Sequence, residues 1–466
     1  MSDAGPLPEA VPAAGSAAGS GAGSAAGSAA GSGAAPGDAL GTAPARAVRW
    51  RALAPLRNRD YRLLIGATGL SMFGNGMWAV VMVFQVMAID DRPTALSAVA
   101  ACLSGGLLAF VLVGGVVADR VPKRSVIITV QAVNLLAVAA VSALAFADAI
   151  RLWHMAVAAA LLGAGSAFFF PAYSAYLPAI LRPDELLAAN GLEGALRPTL
   201  QQALGPALGG MVVGALVPAA GAAATAALHA GALALLLFLR PEPRAEHAGE
   251  AGGERPGALA DMREGFVFTL RTPWLLWTLL FACLMLLVVM GPIEVLLPFI
   301  ARERFADGER MFGLLLTAFG AGGAVGSLVV SSWRLPRRYL TVMVIGWGAG
   351  NLPLVVIGHV TSFWVMAAGM FLIGFSNGAG MVIWGTLLQR RVPPAMLGRV
   401  SSLDFFVSIA LMPLSIAVAG PLSTVVPTPV IFTAAGVVPP VLAVAAVLAG
   451  RMAADEIAHP LDPPAA

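Results

Sequence analysis

The chain has 466 residues, of which 58% are apolar and 11% charged, and its mean hydropathy is +0.84. Soluble domains are about 45–50% apolar and about 25% charged, so the composition excludes a soluble globular protein. The net charge of +3 is small and gives no reason to expect a nucleic-acid partner. We therefore expect a membrane protein that crosses the bilayer many times.

The first 45 residues are Ala/Gly/Ser repeats with Pro. Such a segment buries too little apolar surface to offset the entropy of ordering, so residues 1–50 are predicted to be a disordered cytoplasmic tail. The segment has no basic start followed by an apolar core, and it is therefore not predicted to be a signal peptide.

Apolar stretches of about 20 residues, the length that crosses a bilayer, recur along the rest of the chain. We number them as spans 1 to 12: 65–89, 95–117, 125–148, 152–177, 187–215, 219–239, 274–300, 312–333, 340–358, 362–388, 401–424 and 428–450. Both cysteines, Cys102 and Cys283, fall inside spans, so neither a disulfide nor a metal site is predicted.

The positions of the basic residues predict the orientation in the membrane. All but five of the 28 Lys and Arg residues lie on one side of the predicted spans. They are in the tail before span 1, in or beside the connections 2–3, 4–5, 6–7, 8–9 and 10–11, or at the C-terminus. The exceptions are Arg92, Arg151, Arg302, Arg304 and Arg310. Because bases are retained on the cytoplasmic side, both termini are expected to be cytoplasmic.

The longest polar interruption, 240–272, divides the spans six and six. We expect two six-span bundles, 51–239 and 273–451, joined by this cytoplasmic linker and followed by a tail, 452–466. The end of the linker, 259–270, is predicted to form an amphipathic helix on the membrane surface. The halves are weakly alike: a shift of 211 residues pairs Glu193 with Asp404 and Gly209 with Gly420.

The loop between spans 2 and 3 reads Gly115-Val-Val-Ala-Asp119-Arg120-Val-Pro-Lys123-Arg124. It resembles the Gly-x-x-x-Asp-Arg-x-Gly-Arg-Arg signature of major facilitator superfamily transporters, with Pro122 where the family usually has Gly. The resemblance implies an all-α fold of twelve transmembrane helices in two pseudo-symmetric six-helix bundles.

The same resemblance implies a gate on the cytoplasmic side. Asp119 is expected to dock on the exposed N–H groups at the start of span 11, near 401–402, and so to hold the inner gate shut in the outward-open state. The gating set predicted in this way is Gly115, Asp119, Arg120, Lys123, Arg124, Glu193 and Asp404. For Arg120, Lys123 and Arg124, the alternative is that they only form a basic loop on the cytoplasmic side and take no part in gating.

Span 5 contains Gly205-Pro206-Ala-Leu-Gly209-Gly210, which resembles the core of a motif that exporters of this superfamily carry and importers usually lack. Leu192 and Gln201 stand where the longer motif expects glycine, and a merely kinked helix is the alternative. Together with 56–62 and Asn190, the motif resembles the branch of bacterial macrolide, tetracycline and siderophore exporters.

Ionisable residues inside spans are few and costly in lipid. Glu294 in span 7 is a candidate for binding a proton or a cationic substrate, or else an acid at the wet outer mouth. Arg197 either pairs with Glu193 four residues earlier or reaches a central cavity to hold an anionic group.

Polar residues elsewhere in the spans are candidates for lining that cavity, although scattered polar residues also link helices. The candidates are Asn75, Gln85, Tyr173, Gln201, Asn377 and Trp384.

We therefore predict a secondary active exporter, not an enzyme, that moves a hydrophobic or amphipathic small molecule out of the cell by proton antiport and alternating access. The chain has no Gly-x-x-x-x-Gly-Lys-Ser/Thr loop, so ATP is not an evident energy source. A monomer in the bacterial cell membrane, with no cofactor and no metal, is expected. The alternatives are a proton-coupled importer of a small nutrient and, remotely, a lipid-modifying membrane enzyme.

Overall fold

The structure is a computed structural model that describes residues 54–182, 185–240, 258–332, 335–393, 396, 400, 403–404, 406–407 and 410–460. Within these residues the secondary structure is helical and includes no strand. Ten stretches are long and apolar enough to cross a membrane. In lipid a helix satisfies every backbone hydrogen bond internally, which is why continuous apolar runs adopt it.

The helices of the N-terminal half follow the predicted spans closely. They are Arg59–Ile89 (span 1), Pro93–Arg120 (span 2), Lys123–Phe146 (span 3), Leu152–Ile180 (span 4), Leu186–Ala215 (span 5) and Pro218–Leu237 (span 6). Span 5 is built from three consecutive pieces, because a π-helical segment, Arg197–Leu204, separates two α-helical ones. Pro93 and Pro218 stand in first turns, where a missing N–H costs nothing.

The C-terminal half repeats the pattern. Its helices are Pro273–Arg304 with a π-helical turn at Pro292–Leu296 (span 7), Gly308–Ser331 (span 8), Tyr339–Ala349 and Pro353–His359 (span 9), Phe363–Arg391 (span 10), Met412–Ser423 (the described part of span 11) and Thr428–Ala449 (span 12). Among the described residues two shorter α-helices lie outside the spans, Ala258–Arg271 and Met452–Ala458, together with a 3-10 turn at Ala54–Arg57. The first is the predicted linker helix, and it exposes Phe266 and Leu270.

Two faces of the molecule are named here by their connections. The distal face carries 90–92, 216–217, 305–307 and 424–427; the opposite face, where the described chain begins and ends, is the terminal face. On the terminal face the helix Met452–Ala458 is held by Arg391, whose guanidinium bonds Asp455 at 2.8 Å and lies 5.2 Å from the Trp274 ring. This helix therefore closes the terminal end of the C-terminal half.

Glycine allows pairs of helices in each half to touch backbone to backbone. Gly106 of span 2 faces the carbonyl of Ala160 in span 4, and Gly322 of span 8 faces that of Phe371 in span 10. In lipid no hydrophobic force drives helices together, so association depends on such close packing. The two halves use the same device at equivalent helix pairs.

Candidate functional site

A cavity of about 370 Å³ lies between the two halves, near the midpoints of the helices. Spans 1 to 5 supply most of its wall, and the C-terminal half contributes Glu294 from span 7 with Met412 and Ile416 from span 11. Among the described residues, the cavity therefore has a broad, mixed wall from one half and a narrow wall from the other, which holds a single carboxylate.

Glu294 occupies the π-helical turn of span 7. Its side chain is exposed to the cavity, while its neighbours Ile293 and Val295 are buried. Among the described residues it has neither a hydrogen bond nor an ion pair. A π-helical turn shifts the register of the residues that follow it, and here it coincides with the one acidic side chain of the cavity wall.

Arg197 begins the π-helical segment of span 5 and also lines the cavity. Its guanidinium lies 3.3 Å from the Glu193 carboxylate and 4.8 Å from the centre of the Phe170 ring. Arg197 therefore pairs with Glu193 and reaches the cavity at the same time, so these two expectations do not exclude each other. Because Glu193 balances its charge, Arg197 presents hydrogen-bond donors to the cavity and little net charge.

The other polar residues of the N-terminal wall are uncharged. Of the predicted lining residues, Asn75 and Gln201 are present in it. Five further polar residues join them without having been singled out from the sequence: Thr68, Ser71, Ser104, Asn134 and Ser166. Short polar side chains are common in apolar helices, and nothing in the sequence distinguishes these five from the rest.

The other four predicted lining residues lie elsewhere. Gln85 is buried, and Tyr173 is buried and stacks on Phe169, a cavity-wall residue, at a ring distance of 5.7 Å. Asn377 accepts from the Trp347 indole at 3.3 Å. Trp384 donates to Asp404 at 3.0 Å, so it links spans 10 and 11. In these four the alternative reading, polar residues within helix packing, describes the contacts.

A buried hydrogen-bonded chain crosses the N-terminal half behind the cavity wall. Ser71 Oγ donates to Gln131 Oε1 at 2.9 Å, and Gln131 Nε2 lies 2.8 Å from His229 Nδ1. His229 is fully buried at the midpoint of span 6, and its Nε2 has no partner among the described residues. In the sequence, these hydrogen bonds were marked by one histidine inside a predicted span.

The Gly205-Pro206 motif lies where three helices meet. A Cβ on Gly205 would come within 2.7 Å of Gly76 in span 1, and one on Gly209 within 2.9 Å of the Met77 carbonyl. Gly210 faces the other half, where a Cβ would lie 2.8 Å from the Glu309 carbonyl. Gly313 of span 8 in turn faces the Pro206 carbonyl. The motif therefore packs the two halves together.

Three polar contacts join the halves among the described residues, and all are on the distal side of the midpoint. Ser97 Oγ of span 2 accepts from the Gly420 N–H of span 11 at 2.7 Å. The Thr317 hydroxyl of span 8 lies 2.9 Å from the Ala203 carbonyl and shares its proton with the Gly313 carbonyl of its own helix at 2.8 Å. Asp91 pairs with Arg302 across the distal surface. The described contacts thus close the cavity towards the distal face.

A local ion pair sits beside the last of these contacts. Arg92 bonds Asp90 at 2.6 Å, and this hydrogen bond holds the pKa of the Asp90 carboxyl below its usual range. With Asp90 engaged by its own neighbour, Asp91 is the acid of this loop that reaches the other half.

The predicted gate lies partly outside the described residues. The surroundings of Gly115, the side chain of Asp119 and the whole of 401–402 lie outside the described part of the structure. Arg120 is exposed and Lys123 is half-buried. Arg124 donates to the carbonyls of Leu237 and Leu239 at the end of span 6, at 3.2 and 3.0 Å.

A larger hollow, about 1000 Å³, lies between spans 9 and 10 on the outside of the C-terminal half. Its wall is almost wholly apolar, and residues such as Leu352, Val356 and Leu372 are exposed there. A groove of this kind faces the acyl chains of the bilayer, so it is not the candidate site. No group of three or more metal-ligating side chains occurs in the described part of the chain.

Comparison with known proteins finds a matching protein family. Residues 64–403 match the sequence profile of the Major Facilitator Superfamily. The multidrug efflux pump Tap of Mycobacterium tuberculosis is 28% identical over 375 residues, which are 78% of this chain and 86% of Tap. An uncharacterised transporter of the superfamily, y4rN of Sinorhizobium fredii, is 31% identical over 132 residues, 28% of this chain and 33% of that protein.

Solved structures agree on the fold. The nucleoside transporter NupG, in a mutant form, aligns with a TM-score of 0.64 at 12% identity, over 84% of this chain and 99% of NupG. A bacterial homologue of the human lysosomal transporter Spinster, in an inward-facing and unoccupied conformation, aligns with a TM-score of 0.61 at 14% identity, over 87% of this chain and 99% of that one.

Proposed function

This chain belongs to the major facilitator superfamily and is a multi-pass membrane transporter, and on that premise we propose that it exports an amphipathic cation in exchange for protons. The proposal rests on the position and surroundings of Glu294. It is the acidic side chain of the described cavity wall, and it has no counter-ion among the described residues.

An unpaired carboxylate inside a membrane protein is costly, and the cost is relieved when it binds a proton or a cation. The two ligands exclude each other because they neutralise the same charge. Proton binding therefore releases the cation and cation binding releases the proton, which is the exchange that antiport requires. The apolar residues of the cavity, among them Met72, Leu107 and Phe169, suit the remainder of an amphipathic molecule.

The direction of transport is inferred from three features. The distribution of basic residues supports a cytoplasmic terminal face in a bacterial inner membrane. With the distal side closed, the proposed cycle loads the cavity from the inside. The Gly205-Pro206 motif and the likeness to Tap, whose name is that of an efflux pump, support export over import.

The gate at the terminal face completes the proposed cycle. We infer that Asp119 docks near 401–402 when the distal side opens, with Arg120 beside it. The Asp119→Asn variant is then expected to lose outward-open population and transport. Unchanged transport and an unchanged ratio of the two states would contradict this role.

The proposal is tested in everted membrane vesicles with an imposed pH gradient and a panel of organic cations, neutral amphiphiles and nutrients. Gradient-dependent uptake of cations, lost in Glu294→Gln, is the expected result. Uptake that is independent of the gradient would contradict antiport. Uptake of nutrients driven in the opposite sense would identify an importer.

A further inference from the structure

The proposed exchange uses Glu294 and leaves one buried titratable group unexplained. His229 lies at the midpoint of span 6, far from either membrane surface, and is fully buried. We propose that His229 is a second proton-binding site, connected through Gln131 and Ser71 to the wall of the cavity. The inference rests on the proposed function, because it concerns the same cation and the same cavity.

The hydrogen bonds define the neutral state of the ring. Gln131 Nε2 lies 3.1 Å from the His229 carbonyl and 2.8 Å from Nδ1, so the amide group donates to both. Nδ1 is therefore an acceptor, and the ring proton is on Nε2. Gln131 Oε1 faces the other way and accepts from Ser71 at 2.9 Å. Every member of this chain is buried, with Ser71 the most exposed at 8%.

Protonation of His229 reverses the donor and acceptor roles in this series of hydrogen bonds. A proton on Nδ1 turns it into a donor, so the Gln131 amide must rotate to offer its oxygen. The amide N–H₂ then faces Ser71 Oγ, which becomes an acceptor, and its own proton is free to point into the cavity. One protonation in span 6 thus changes the hydrogen bonding of a cavity-lining residue in span 1.

The charge on the ring acts on the bound cation as well. No other ionisable group on the helices packed against His229 has a described contact with it. On span 1 the nearest are Tyr61 and Arg62, about 18 Å along the axis from Gly74, which faces the ring. On span 3 the nearest are Lys123 and Arg124, about 10 Å from Gln131. The adjoining piece of span 5, Gly205–Ala215, has none.

An imidazolium at this place therefore adds an unbalanced positive charge to the half that faces Glu294. In low dielectric such a charge disfavours a cation in the cavity. Protonation of His229 and protonation of Glu294 consequently act in the same direction, and both promote release of the cation at low pH.

The test is the number of protons displaced when a cation binds. The dissociation constant of tetraphenylphosphonium is measured on the purified full-length protein at a series of pH values. For linked equilibria, the slope of its logarithm against pH gives the number of protons exchanged. We expect a slope approaching two below neutral pH in the wild type and approaching one in His229→Gln.

His359→Gln is the matched control, because His359 is exposed at the distal end of span 9 and should leave the slope unchanged. An unchanged slope in His229→Gln would overturn the proposal while leaving the role of Glu294 intact. If Glu294→Gln binds the cation as the wild type does, the proposed function fails instead.

A second measurement does not depend on transport. In a protein whose other four histidines are replaced by Gln, ¹⁵N-labelled His229 should show the Nε2–H tautomer at pH 8 and a doubly protonated ring on acidification. A single tautomer throughout the range from pH 9 to pH 5 would overturn the proposal even if every variant folds.

Discussion

The two halves of the molecule form the cavity in different ways. The N-terminal half supplies five spans of wall with neutral polar groups and Arg197, whose charge Glu193 balances. The C-terminal half supplies two apolar side chains and the unpaired Glu294. Under the proposed exchange, the first half accommodates the molecule by hydrogen bonds and apolar contacts and the second exchanges a charge, so coupling and recognition lie on opposite sides of the interface between the halves.

The sharpest way to break this division is Glu294→Gln. A hydrogen bond to a charged group is worth about 1.5–3 kcal/mol, so cation affinity should fall about 10- to 150-fold and pH-driven export should be lost. Glu303→Gln is the control, since Glu303 is an exposed acid at the distal end of the same span. Equal losses in both variants would mean that the effect is not specific to the cavity.

The distal contact between the halves is tested by Gly210→Leu. Its side chain would overlap the Glu309 carbonyl, and overpacking costs about 1–3 kcal/mol. The equilibrium should therefore shift about 5- to 150-fold away from the distally closed state. Spin-label distances across the distal face measure it, with Gly105→Leu as the control because a Cβ on Gly105 meets nothing within 4 Å.

Ser97→Ala removes a single bond between the halves and should act in the same direction. The Gly420 N–H would lose its described acceptor in a buried place, at a cost of about 1–3 kcal/mol. The same spin-label distances report the shift. A variant that leaves the populations unchanged would show that this N–H finds another acceptor.

These sites differ in how far the sequence predicted them. Span boundaries followed from apolar length, and Glu294 and the Arg197–Glu193 pair followed from charge and spacing. The directions of Gln85, Tyr173, Asn377 and Trp384 could not be predicted. In a helix that is apolar on all sides, no contrast of polarity marks the face that meets the cavity. The π-helical turns and the link from Ser71 to His229 arise from packing between distant spans.

The smallest effect is expected at Asp91 and Arg302, which pair on the exposed distal surface. Such pairs are worth about 0.2–1 kcal/mol and are screened by salt. Asp91→Asn should open the distal face slightly, most at low ionic strength, and exchanging the two charges by Asp91→Arg with Arg302→Asp should restore closure. Failure of the exchanged pair to restore it would show that geometry, not charge, matters there.

The central claim is that a cation and a proton compete for Glu294. It is tested most directly by adding tetraphenylphosphonium to the weakly buffered purified protein and measuring the protons released per cation bound. The account predicts net proton release in the wild type near neutral pH and a release smaller by about one proton per bound cation in Glu294→Gln. Cation binding with no proton release in the wild type, at any pH between 5 and 9, would contradict it.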